Sequence, residues 1–290
     1  MGHGRSIGLG LLMGVLARII LLRSDYRQYP TYPHGYASHL FLGIIAALVG
    51  AVSVPALIER EWTAVTFFVV VAQQFREIRS MERDSLKALE ETQLVARGAD
   101  YIESIARVFE ARYYIVILVA ASAAYGTERG GVLLGIVLGV LAFAGSASVI
   151  KQEPLWMSVE VKPAKLSFKG AGLYVDDIFI MNVGLEESRQ TIVRYGIGAI
   201  LIPKTETARD TLANLGQRQA ILHDAAGILG IKKDVDTPEY TPMATRHIPT
   251  GRVGVFMVPE ERDPQLLVQV IRRTPVLESA RGRSMYRRSM

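Results

Sequence analysis

The feature that most constrains this chain is the crowding of its apolar residues into five runs, all of which lie before Lys151. Half of the 290 residues are apolar, too large a share for a disordered chain. A helix needs about 20 apolar residues to cross a hydrocarbon core. Runs 39–58 and 130–150 have that length almost without charge, and run 6–22 reaches its lower end. Runs 62–75 and 113–125 are shorter, and lengths of that kind also suit re-entrant or interfacial helices.

Charge chooses between those readings. If both short runs cross, Arg76, Arg79, Arg83, Lys87, Arg97, Arg107 and Arg112 share a side with Arg23, Arg27 and the basic second half of the chain. Only Arg5, Arg60 and Arg129 then lie near membrane ends on the other side, which satisfies the positive-inside rule. This predicts five spans with the N-terminus outside and the C-terminus in the cytosol. Run 6–22 reads as a retained helix and not a signal peptide, because Arg18 interrupts it and no small-residue cleavage site follows. Arg18 lies close enough to the cytosolic end for its side chain to snorkel to the headgroups.

The expected architecture is an α-helical polytopic membrane domain over 1–150, with about five transmembrane helices and a cytosolic helical hairpin over 76–112, followed by a small α/β (α+β) soluble domain. In the hairpin, Phe75, Ile78, Met81, Leu86 and Leu89 recur at helical spacing among charges. Gly98 is a plausible break, and Asp100 with Glu103 has capping-box spacing at the start of a second helix. That hairpin must pack on the chain's own soluble domain or on a neighbouring subunit. Beyond 151, short β-rich runs (165–168, 177–183, 198–203, 252–258) alternate with helical ones (185–195, 206–229, 264–273). The soluble domain is expected over 151–275, with 237–249 as a proline-rich loop and 276–290 as a basic tail.

Two patterns suggest contacts. Gly131, Gly135 and Gly139 recur every four residues, and Gly10 with Gly14 repeats the device, so backbones can approach closely there, within one chain or between copies. Tyr29 and Tyr32 lie in a loop with four of the twelve tyrosines, which reads as an interfacial aromatic belt or a binding edge. Glu103 with Arg107 and Arg107 with Glu110 are helix-face ion pairs, followed by Arg112.

The segment Tyr101-Ile102-Glu103-Ser104-Ile105-Ala106 resembles the signature of the YIEGIA family of polytopic membrane proteins from endospore-forming bacteria, with Ser104 where the motif has glycine. The resemblance covers the whole chain. It implies a sporulating source, a location in the cytoplasmic, forespore or spore membrane, and a small soluble capping subunit as partner; the residues expected to meet such a partner are Tyr101, Glu103, Arg107, Glu110 and Arg112, with Tyr29 and Tyr32. It supplies no catalytic residue.

Chemistry is scarce. Without cysteine there is no disulfide, thiol nucleophile or thiolate metal site. Asp176 and Asp177, read at the start of a strand, would point to opposite faces. His223 and His247 have no ligand-spaced partner. No phosphate loop, nucleophile elbow or dinucleotide fingerprint occurs, and the basic residues follow membrane boundaries without the aromatic interleaving of a nucleic-acid binder. The expectation is a non-enzymatic membrane protein without metal or cofactor. It would be a homo-oligomer, of a kind whose uncharged small-residue helices can line a pore, with a cytosolic platform for the capping partner. The alternatives are a monomeric transporter, or a sensor or enzyme acting through the α/β domain.

Overall fold

The computed structural model describes residues 3–25, 33–90, 95–150, 153–234, 237–238 and 240–281. The chain divides into two units. One holds Met1–Asp84 and Ile105–Lys151, the other Ser85–Ser104 and Gln152–Met290.

Four helices run through the first part of the chain: α1 (Gly4–Asp25), α2 (Pro33–Ile58), α3 (Trp62–Glu90) and α4 (Ala99–Ile150). Among the described residues, three stretches have the length and apolar character to cross a membrane: Gly4–Leu22, Tyr36–Ile58 and Ala99–Ser146. The apolar start of α3 does not reach that mark, because its charged continuation carries the helix on to Glu90. Helix α4 is broken at Gly130 (φ −148°) and Gly131 (φ 80°, ψ −177°). The Gly131 conformation is open to glycine because it has no Cβ. The two arms fold back on each other: a Cβ built on Gly126 would lie 2.8 Å from the Cα of Gly135, and one on Gly135 would lie 2.7 Å from the Ala123 carbonyl oxygen.

Gly131 therefore does not share a packing face with Gly135 and Gly139, as the sequence suggested. It is the turn itself, with no neighbour within 4 Å of its missing side chain. The other small residues sit against the chain's own helices. A Cβ on Gly10 would meet the Ala120 oxygen at 2.8 Å and Ala51 at 2.9 Å, one on Gly14 would meet Ala47 at 2.6 Å, and one on Gly139 would meet Ala123 and Met13 at 3.1 Å. In lipid such close packing, not apolar burial, holds helices together.

Arg18 does not snorkel. It is 0% exposed, with its guanidinium 4.8 Å above the Tyr113 ring, its Nε donating to the His39 carbonyl at 3.4 Å and its stem filling the space left by Gly43. His39 in turn hydrogen-bonds the Tyr113 hydroxyl at 3.1 Å through Nδ1, reaches Glu82 at 3.6 Å through Nε2 and stacks on Phe109 at 4.7 Å. The charged half of α3 and the start of α4 form the expected antiparallel hairpin, tied by Phe75 on Tyr113 at 5.5 Å and Arg79 on Glu110 at 3.4 Å. At the other end of the unit, His3 donates from both ring nitrogens, to Glu128 at 2.7 Å and Glu59 at 2.6 Å. These bonds, Glu128 first, favour the imidazolium and raise its pKa.

The second unit is built on a four-stranded antiparallel sheet of order β1-β5-β9-β8, from β1 (Val159–Ala164), β5 (Ile197–Pro203), β8 (Met243–Arg246) and β9 (Val253–Met257). A three-stranded meander, β2 (Leu166–Lys169), β3 (Gly172–Val175) and β4 (Ile178–Asn182), covers one face. The other face carries α6 (Glu206–Ala213), α7 (Leu215–Leu229) and α8 (Pro264–Arg273). The helix α5 (Glu186–Tyr195) follows the meander, and β6 (Lys233–Asp234) pairs with β7 (Thr237–Pro238). Central strands are buried on both sides, so they lack polar alternation: Val253, Val255 and Met257 face the helices, whereas Phe256 faces the meander.

Four sequence expectations change here. Helix 206–229 is two helices, because the Asn214 side chain caps the N-terminus of α7 by accepting from the Gln217 N–H at 2.9 Å. Part of the expected loop 237–249 is strand β8. Asp176 and Asp177 form the β3–β4 turn, where Asp176 has φ 51° and Asp177 pairs with Arg252 at 2.5 Å. Val276, Leu277 and Ala280, assigned by the sequence to the basic tail, are buried in this unit.

The glycine seam gives a direct prediction. Gly135→Leu would drive its side chain into Thr127 and Ala123, overpacking that costs about 1–3 kcal/mol, whereas Gly8→Ala, with nothing within 4 Å, should leave the protein unchanged. Thermal unfolding in detergent, followed by helical circular dichroism, should show a lower midpoint for the first and none of that loss for the second.

Candidate functional site

The chain between α3 and α4 turns through Gly98, whose φ of +81° takes it into the left-handed region. Glu90 closes that turn, its carboxylate accepting from the backbone N–H groups of Arg97 at 2.8 Å and Gly98 at 3.0 Å. Helix α4 thus begins at Ala99, and Asp100 lies inside its first turn instead of capping it as the sequence spacing suggested.

This turn is seated on α7. Gln219 accepts from the Tyr101 N–H at 3.1 Å and packs against Gly98, where a Cβ would come within 2.6 Å of its Cδ. Gly216 lets the two elements approach, because a side chain there would meet the Asp100 oxygen at 2.8 Å. Ser104 Oγ donates to the Asp100 carbonyl and accepts from Ser279 Oγ, both at 2.7 Å. Tyr101 is 4% exposed, its ring edge against His223 at 6.2 Å between centroids.

Next to this seat lies a cleft of about 500 Å3 between α7 and α8, lined by His223, Asp224, Gly227, Ile228, Leu266, Gln269, Val270, Arg273 and Thr274. His223 Nδ1–H donates to the Val95 carbonyl at 2.9 Å. In the neutral ring that leaves Nε2 as the acceptor, and burial lowers the pKa and favours the neutral form. Burial likewise pushes the Asp224 carboxyl up to about 6, against the opposing pull of a hydrogen bond from Thr274 and the charge of Arg97. Arg97 is itself buried and paired with Glu90 at 3.9 Å. Among the described residues, no group of three or more histidine and carboxylate side chains is placed to hold a metal ion.

The residues singled out in sequence are thus scattered. Tyr101 and Arg112 are buried and cannot form the expected partner surface; Glu110 is engaged with Arg79, and Tyr114 donates to it at 3.5 Å. Glu103 is half-buried and Arg107 exposed. Tyr29 and Tyr32 lie outside the described residues. Gly10, Gly14, Gly135 and Gly139 pack within the chain. The sequence reading missed His223, Asp224 and Arg273 as a group, because only the pairing of α7 with α8 brings them together.

The chain matches the family model described as "YIEGIA protein" over residues 6–286. The chain belongs to the YIEGIA family. It is 42% identical over 271 residues to a Bacillus subtilis (strain 168) protein named "Uncharacterized protein YphB", covering 93% of this chain and 91% of that one. No solved structure matches it. In this family member the signature Tyr101–Ala106 straddles the boundary between the two units: its first four residues belong to the α/β unit and its last two to the helical one.

The buried carboxyl predicts a pH dependence. Folding raises the Asp224 pKa from 3.8 to about 6, so the native state holds the extra proton between those values and stability falls as pH rises through that window. The expected loss is on the order of 2–3 kcal/mol over the whole window and about half of that above pH 5, and Asp224→Asn should remove it. Denaturant midpoints for both proteins at pH 5 and pH 7.5 check this; parallel profiles would contradict it.

Proposed function

We propose that this YIEGIA protein is a non-enzymatic integral membrane protein of the cytoplasmic, forespore or spore membrane, and that its α/β unit is a cytosolic binding module. One observation carries this reading. His223 lines the cleft, donates to Val95 just before α4 and meets the ring of Tyr101, so a ligand that orders His223 acts on the first turn of α4. A cleft of about 500 Å3 lies in the range of small-molecule sites. In the proposed topology the chain crosses five times with the N-terminus outside, using the start of α3 and the two arms of α4 as separate crossings. The positive-inside balance and the Gly130–Gly131 fold-back support it.

A second reading, a homo-oligomer carrying a small soluble capping subunit, draws on exposed apolar side chains of the α/β unit. Leu185 is 73% exposed, and Val193 and Ile248 are also open. The glycine faces do not support it, being filled by the chain's own helices.

Because the chain has no cysteine, single replacements report topology cleanly. In intact cells an impermeant maleimide should label Glu61→Cys and Arg129→Cys, and should label Asp84→Cys and Glu187→Cys only after permeabilisation; the reverse pattern would overturn the orientation. For the binding module, the small-molecule fraction of a cell extract should raise the melting temperature of the detergent-solubilised protein. Native mass spectrometry of the same preparation decides the second reading: a multimer with a small bound protein supports it, and a bare monomer overturns it.

A further inference from the structure

The cleft is chemically two-ended. Its inner wall is formed by Thr274 and Val270, which are buried, and by the partly buried His223, Asp224 and Leu266; the exposed rim holds Gly227, Ile228, Gln269 and Arg273. The inner end offers acceptors, the Asp224 carboxyl and His223 Nε2, because the Nδ1–H of that ring is committed to Val95. The rim offers donors, the Arg273 guanidinium and the Gln269 amide. Ile228, Leu266 and Val270 give the cleft an apolar side.

A purely anionic ligand would bring its charge against Asp224, and a purely cationic one against Arg273. A nucleobase would find no Phe, Tyr or Trp face among the lining residues to stack on. We propose that the cleft binds a small zwitterion of the amino-acid or short-peptide class, its ammonium held by Asp224 and His223 and its carboxylate by Arg273. This rests on the reading of the α/β unit as a binding module. The ammonium adds a hydrogen-bonding cation to the Thr274 bond and Arg97 charge that already act on Asp224, and the guanidinium fork matches a carboxylate. Apolar amino-acid side chains fit against Ile228 and Leu266.

The test uses the full chain in detergent micelles. Each of the twenty amino acids and a set of dipeptides is titrated by thermal shift and calorimetry, with acetate and methylamine as single-charge controls. At least one zwitterion should bind, and neither control should match it at equal concentration. Asp224→Asn and Arg273→Gln should each weaken binding by about tenfold or more. Gly227→Leu should abolish binding while the protein stays folded, because Gly227 is helical, lies at the rim and has open space beside it. Three results would overturn the assignment: binding unchanged in Gly227→Leu, acetate or methylamine binding as well as any zwitterion, or stabilisation by the cell extract without any by amino acids or dipeptides. In that last case the binding module stands and the ligand class falls. If neither extract nor zwitterion stabilises the protein, the binding-module reading itself falls.

Discussion

A guanidinium with no exposure at all, among four mostly apolar helices, organises the helical unit. Arg18 stays charged at any physiological pH, and a buried charge is tolerated only where its surroundings replace water. Here the replacements come from different helices: the ring of Tyr113 on α4 and the carbonyl of His39 on α2, with Gly43 giving up the volume that the arginine stem fills. His39 extends the network to Glu82 on α3. Sliding any one helix along its neighbours would strand the charge. The polar cluster thus fixes the register of helices whose apolar surfaces alone would specify it poorly, and the glycine and alanine seams then set their spacing.

The α/β unit meets its requirement differently. Its central sheet is covered on both faces, by helices on one and by the meander on the other. The turn before α4 adds hydrogen bonds to apolar packing: Val95 rests on the core, Glu90 closes the turn, Gln219 holds Tyr101, and Ser279 holds Ser104. Glycines at 98 and 216 serve this seat, one through its backbone conformation and the other through contact distance. A serine at 104 is used here as a hydrogen-bonding group, which a glycine could not be.

Much of the fold was legible along the chain. Apolar run length marked the helices, periodicity marked the α3–α4 hairpin, and Gly98 marked the break between them. Strand β9 was visible as an apolar run, whereas β1, with its alternation interrupted by Pro163, and β8, among prolines, were not. The 206–229 stretch read as one helix because Asn214 is a cap only once its side chain turns onto Gln217. The glycine repeat misled at Gly131, since spacing alone cannot tell a packing residue from a turn.

What the sequence by itself determined is the division of labour: apolar helices before Lys151, an α/β unit after it, and the signature that marks the family. These follow from local quantities, run length, period and residue type, that need no knowledge of the fold. Only tertiary structure decided that Arg18 is enclosed instead of snorkelling, that Tyr101 is buried instead of presented, and that His223, Asp224 and Arg273 line one cleft. Each of these depends on which elements meet across long stretches of chain, and burial and electrostatic environment are properties of that meeting, not of the residues alone.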